Sequence, residues 1–181
     1  MMDYQILRSR RKTLALELTP RGELLVRAPL RLPKRDIQRF IESKKDWIDA
    51  HLAKLPHVTP LTPEEHRALI RAAKVDFPQR VSCFAEKMGI TYGRITIRSQ
   101  KSRWGSCSAA GNLSFNCRLM LAPEPVRDYV VVHELCHRKE MNHSPRFWAE
   151  VETILPDCRQ QRAWLREHGT SLLARLPDAQ K

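Results

Sequence analysis

His133-Glu134-Leu135-Cys136-His137, continued by Arg138-Lys139-Glu140-Met141-Asn142-His143, is the stretch whose reading decides the fold. Two histidines four apart, with a glutamate after the first, form the spacing of a helical zinc site. Residues four apart lie on one helix face, one turn above each other. Two imidazoles sharing one ion at bond lengths of roughly 2.0–2.1 Å must converge within a few ångströms. On a strand the same pair would stand roughly 13 Å apart, too far for one cation. The chemistry therefore requires a helix. The valines Val130-Val131-Val132 favour strand locally. Pro123, Glu124 and Pro125 before them suit a helix start and oppose that preference. A helix lined with valines must be buried, with its polar face on a cleft.

Glu134 sits about 100° round the helix from His133, beside a bound metal, where a general base for a zinc-bound water belongs. The helix is expected to end after Met141, at Asn142, a residue that tolerates left-handed backbone. Ser144-Pro145 reads as the N-cap and first residue of the next helix, which carries Phe147 and Trp148. His143, on the turn between, is the candidate third ligand; Glu150 and Glu152 on the following helix are alternatives. Three ligands and one open position make the catalytic zinc pattern, so one ion is expected.

Working outward, the chain is read in two parts, 1–58 and 59–181. In the first, Leu14, Leu16 and Leu18 alternate before the turn Thr19-Pro20-Arg21-Gly22, and Leu24 and Val26 alternate after it, predicting a β-hairpin over 13–28. Ile37, Phe40, Ile41, Trp47, Ile48 and Leu52 then recur at helical steps, predicting one amphipathic helix. Pro56, Pro60 and Pro63 mark a linker. In the second part, Thr62-Pro63-Glu64-Glu65 is a capping box opening a helix that Pro78 should kink or split and Gly89 should end. Residues 90–121 predict a small sheet, with Ser108–Asn112 as a turn in which Gly111 and Asn112 take positive φ. A last helix is expected from Pro156-Asp157 to His168-Gly169. The fold class is α+β: a zincin-like domain, a small sheet packed on the helix that bears the motif, with an N-terminal hairpin-plus-helix appendage.

Lys101-Ser102-Arg103-Trp104-Gly105-Ser106-Cys107, Gly111-Asn112-Leu113-Ser114-Phe115-Asn116, the motif helix and Asn142-His143-Ser144-Pro145-Arg146-Phe147-Trp148 resemble the YgjP-like family of metallopeptidases, related to the SprT-like proteases. The resemblance extends to Arg8–Thr13 and Val26–Pro29. It implies zinc ligands at His133, His137 and His143, Glu134 as acid–base, and peptide or protein substrates. It also implies an edge strand beside the cleft that takes the substrate backbone, for which Leu113, Ser114, Phe115 and Asn116 are the candidates. Arg103 is the candidate for stabilising the oxyanion. Trp104 reads as a core anchor and Gly105 as a place of close backbone approach.

With 32 Lys+Arg against 20 Asp+Glu the formal charge is +12, which attracts acidic partners. The alternative reading is therefore a nucleic-acid-associated protein whose zinc domain processes DNA-bound proteins or serves as a scaffold, with Arg8–Lys12 as the phosphate-contacting segment. No apolar run reaches the roughly 18 residues of a membrane span. Five cysteines without a Cys-x-x-Cys pair, and first residues without an apolar stretch, predict a reduced, cytoplasmic protein.

Overall fold

The structure, a computed structural model, describes residues 4–19, 22–53 and 58–175. It is a mixed α+β fold in two compact units, Met1–Thr59 and Pro60–Lys181.

In the first unit three strands form one sheet in the order β1-β3-β2. They are β1 (Tyr4–Ser9), β2 (Ala15–Leu18) and β3 (Leu24–Pro29). The β2–β3 pair is the antiparallel hairpin the alternation predicts. Gly22 takes φ 82° in its turn, while Pro20 and Arg21 lie outside the described residues. β1 was not anticipated. It pairs parallel to β3 from Tyr4↔Leu24 to Ser9↔Pro29. Arg8, in the segment expected to contact phosphate, is exposed and holds backbone of its own unit through one guanidinium nitrogen. Its guanidinium donates to the carbonyls of Pro29, Leu30 and Leu32 at 2.9–3.0 Å. The single predicted helix is two, α1 (Lys34–Glu42) and α2 (Lys45–Leu52). The Ser43 hydroxyl donates back to the Phe40 carbonyl at the break, a local bond that competes with helix continuation. Leu24, Val26, Ala28, Ile37 and Ile48 form the buried core of this unit.

The second unit opens with α3 (Pro63–Met88), 26 residues long. The Thr62 side chain accepts from the Glu65 amide and the Glu65 carboxylate from the Thr62 amide, and Gly89 closes the helix at φ 60°. The linker expected before it lies partly outside the described residues, which omit 54–57. Pro78 does not split α3. The carbonyl it deprives of a partner belongs to Lys74, an exposed residue whose backbone water can serve.

β4 (Ile95–Arg98), β5 (Gly105–Cys107) and β6 (Leu113–Asn116) form the second sheet, in the order β4-β6-β5. β6 is thus the central strand, parallel to β4 and antiparallel to β5. The edge-strand expectation for Leu113–Asn116 is corrected: β6 has a neighbour on each side, and Leu113, Phe115 and Asn116 are buried. The edge beside the motif helix is β5. In the β5–β6 turn Gly111 takes φ 80°, and no non-glycine residue described has positive φ, so Asn112 keeps ordinary backbone.

A 3₁₀ turn (Cys117–Leu121) leads into α4 (Glu124–Cys136), which carries His133 and Glu134 with His137 at its C-cap. α4 stops five residues before Met141, where the amides of Arg138 and Lys139 bond three residues back, to the Leu135 and Cys136 carbonyls, and tighten the last turn. α5 (Pro145–Ile154) follows, capped by the Ser144 hydroxyl accepting from the Phe147 amide. α6 (Cys158–Ala174) runs past its expected end at Gly169. Gly169 is not a stop but a buried contact: a Cβ there would lie 3.3 Å from the Trp104 indole.

Val130, Val131 and Val132 are all buried in the core of this unit, with Phe77 and Phe115 stacked at 4.7 Å between α3 and β6. Burial of the valines overrides their strand preference. Truncating a fully buried ring leaves a cavity, so Phe77→Ala should cost about 3–5 kcal/mol of stability, read from urea unfolding. A loss under about 1 kcal/mol would mean that the α3–β6 layer does not hold the unit together.

Candidate metal centre

His133 and His137, one turn apart, point from the end of α4 toward one place, and the turn 137–143 brings His143 back to it. One ring nitrogen from each of the three lies within 4.8 Å of the others, and no other such group of three occurs among the described residues. His133 Nε2 and His143 Nε2 face each other at 3.0 Å. Two neutral imidazoles in that contact need a shared proton or a cation between them. His137 Nδ1 meets the Glu140 carbonyl at 3.1 Å. That bond places the ring's proton on Nδ1 and leaves Nε2 free as a ligand atom. His133 Nδ1 is buried with no hydrogen-bond partner among the described residues. The donor set suits zinc: three imidazoles, one with its tautomer fixed by a carbonyl, and His143 on the exposed side.

Phe147 underlies the cluster. Its ring centroid is 4.8 Å from His133, 4.6 Å from His137 and 4.8 Å from His143. Trp148 flanks it, 5.8 Å from the His133 ring and 5.9 Å from His143. The Ser144 cap fixes where α5 begins and therefore where both aromatics stand. Glu150 and Glu152, the alternative ligands, are engaged elsewhere: Glu150 with Lys139 at 2.8 Å and Glu152 with Arg159 at 2.9 Å.

Glu134 is 6 % exposed and lies against β5. A Cβ on Gly105 would come 2.5 Å from Glu134 Oε1 and 2.7 Å from its Cγ. Glycine is what lets strand and carboxylate occupy adjoining space. The cleft beside them is lined by Arg103, Gly105, Ser106, Cys107, His133 and Glu134, among others. Arg103 is therefore brought to the site, and Leu113, Ser114, Phe115 and Asn116 are not among its lining residues.

Asn116 serves the site indirectly. Its side-chain amide donates to the carbonyls of Gln100 at 2.8 Å and Arg103 at 2.9 Å, holding the loop that leads into β5. The fully buried Arg118 donates to the Gln100 carbonyl and, at 3.2 Å, to the Ser99 hydroxyl. Arg138, next to His137, donates to the Thr91 and Ala109 carbonyls, both at 3.1 Å, and ties the β5–β6 turn to the end of α4. Neither arginine was singled out from sequence, because a lone arginine in a basic chain carries no local signal. Trp104 packs on the core as an anchor, and Cys136 is a fully buried core residue. All five cysteines are free, Cys107 and Cys117 included.

Electrostatically the site disfavours charge. Burial, then the neighbouring His137 and His143, push the His133 imidazole down to about 3. His137 is lowered too, first by burial. Burial raises the Glu134 carboxyl to about 8. Without a cation, the low-dielectric surroundings leave all three groups neutral near pH 7.

The YgjP-like family, metallopeptidase domain, matches residues 12–68 and 61–168. Among solved structures, the metallopeptidase zymogen jannalysin of Methanocaldococcus jannaschii is 22% identical, with a TM-score of 0.46 over 51% of this chain and 95% of its own. The metallopeptidase zymogen abylysin of Pyrococcus abyssi is 21% identical, with a TM-score of 0.46 over 56% of this chain and 98% of its own. No match is found among curated proteins.

Gly105→Ala should cost about 1–3 kcal/mol by overpacking, and Glu134→Ala in the same chain should relieve most of that cost. Additive losses in a thermal-unfolding double-mutant cycle would refute the contact. In chelator, stability should rise as pH climbs from about 3 to 4.5, because the depressed His133 stabilises only where the unfolded histidine has also lost its proton. Between about 6.5 and 8 it should fall, because the raised Glu134 stabilises fully only below the unfolded value of 4.5. Glu134→Gln should abolish the upper fall, and its persistence in urea titrations across pH would exclude Glu134 as the cause.

Proposed function

The chain belongs to the YgjP-like metallopeptidase family, and on that premise we propose that it is a zincin-like zinc peptidase that cleaves peptide bonds with Glu134 as general base. His133, His137 and His143 would hold one zinc ion. The observation that carries the reading is the gathering of three imidazole nitrogens within 4.8 Å, with a buried carboxylate on the same helix beside them. When bound, zinc lowers the pKa of a water to about 7 and polarises a carbonyl.

The remaining work falls to the chain itself. Glu134 accepts the proton of the attacking water and returns it to the departing amine. Its place against Gly105 limits where the carboxylate can swing, so proton acceptor and cleft stay in register. β5 is the sheet edge beside α4, and Gly105, Ser106 and Cys107 line the cleft. An extended substrate would add to it through main-chain hydrogen bonds, which demand no particular sequence. Asn116 and Arg118 act on that strand from behind by holding residues 99–103. Arg103, exposed on the cleft, is the side chain we assign to the oxygen that gains negative charge during attack. The domain boundary near residues 58 and 59 separates this machinery from the N-terminal appendage.

Glu134→Gln should retain about one zinc per chain and lose roughly 10²–10⁴-fold in turnover of a quenched peptide library. His137→Ala should lose the metal itself in a zinc-stoichiometry measurement. Full turnover by metal-replete Glu134→Gln protein would rule out the assigned base.

A further inference from the structure

Trp148 is shared between the histidine cluster and a second cavity. That cavity, of about 270 Å³, is lined by Trp148, Glu152, Cys158, Arg159 and Arg162. Its charges do not cancel. Glu152 is taken by Arg159, at 3.0 Å through Nε and 2.9 Å through the terminal nitrogen. Arg162 has no carboxylate partner among the described residues; its guanidinium carbon lies over the Trp148 ring, 4.3 Å from the centroid. Two guanidiniums against one carboxylate leave one positive charge. Cys158 adds none, because burial pushes its thiol up.

The stacking matters for more than charge. A guanidinium lying on an aromatic face is held by its π-surface, and its edge N–H groups remain free to meet a planar carboxylate in a two-pronged contact. The Trp148 ring is itself 5.9 Å from the His143 ring and 5.8 Å from the His133 ring. Arg162 therefore lies on a ring that itself neighbours two of the three imidazoles, His133 and His143. An extended peptide advances about 3.3 Å per residue, so a group over Trp148 belongs to a residue within about two of the bond held at the cluster.

We propose that the Trp148–Arg162 cavity is a specificity subsite that takes a substrate carboxylate, from an acidic side chain or from the peptide's free C-terminus, beside the cleaved bond. This rests on the peptidase reading. Trp148 supplies the apolar wall for the carboxylate's methylene groups, and Arg162 supplies the counter-charge. The salt bridge between Arg159 and Glu152 keeps the one acidic lining residue from occupying Arg162.

The test uses zinc-loaded full chain and amidated peptides that differ only by Glu or Gln at the two positions on either side of the cleaved bond. A third peptide, neutral throughout, ends in a free carboxylate. Wild type should favour a carboxylate-bearing peptide over its neutral counterpart by at least about threefold in kcat/KM, less so as salt rises. Which peptide shows the preference identifies the source of the carboxylate. In Arg162→Gln the ratio should fall to about one, and Arg162→Lys, which keeps the charge, should restore part of it. A wild-type ratio of one for every peptide, or a ratio that survives Arg162→Gln, overturns the subsite. The same peptides are titrated into Glu134→Gln protein while the Trp148 indole resonance is followed by NMR. If no peptide is cleaved, a carboxylate-dependent shift lost in Arg162→Gln upholds the subsite while the peptidase reading fails. The absence of any such shift then removes the subsite as well.

Discussion

The close contact between Glu134 and Gly105 is the constraint on which the rest of the second unit depends. A carboxylate only 6 % exposed, packed where a strand's Cβ would be, is costly to place. It fixes the distance between α4 and β5 to that of a side chain lying on bare backbone. The strand cannot retreat, because β6 holds it on one side and the loop before it is fastened by Asn116 and Arg118. The helix cannot retreat either. Val130, Val131 and Val132, spread around its circumference, are buried in the core with Phe77 and Phe115. The cleft is what remains between two elements that are each pinned from behind.

The electrostatics of that cleft have a single sense. Low dielectric lowers the basic groups and raises the acidic one, so imidazoles and carboxyl alike relax toward neutrality. Nothing among these neighbours supplies a compensating full charge to Glu134, for which burial is the stated cause of its shift. A divalent cation among three neutral imidazoles would reverse this balance, since the ion becomes the largest local charge and favours the carboxylate form. The arrangement suits a centre that is poor in charge until its metal arrives. The same arrangement makes Glu134 a poor structural residue, which favours a functional account of its position.

What was legible in the sequence was local and chemically demanding. The i, i+4 histidines dictate a helix against the valines' own preference, and Ser144-Pro145 marks the next helix start at the residue where the cap forms. Gly105 reads as a close approach, although nothing in the sequence says that Glu134 is the group approached. What was not legible depends on pairing across the chain. β1 has no local signal that sets it parallel to β3, and strand order within the second sheet cannot be read from alternation. Alternation alone does not tell the central strand, β6, from the edges, β4 and β5. Gly169 illustrates the opposite error. Its usual meaning at a helix end was applied to a residue that is small because Trp104 lies against it.

Several of the arginines behind the formal charge of +12 have partners within the fold. Arg8 is spent on three carbonyls of its own unit. Arg80 bridges Asp76, Glu124 and Asp128 between α3 and α4. Arg118 and Arg138 hold backbone carbonyls around the site. These side chains act as hydrogen-bond donors within the fold. By contrast, Arg103 and Arg162 have no carboxylate partner among the described residues, and both line cavities beside the histidine cluster. The positive charge that remains available there can bind the negative charge a peptide carries in its side chains or its end, or the charge that develops on its carbonyl.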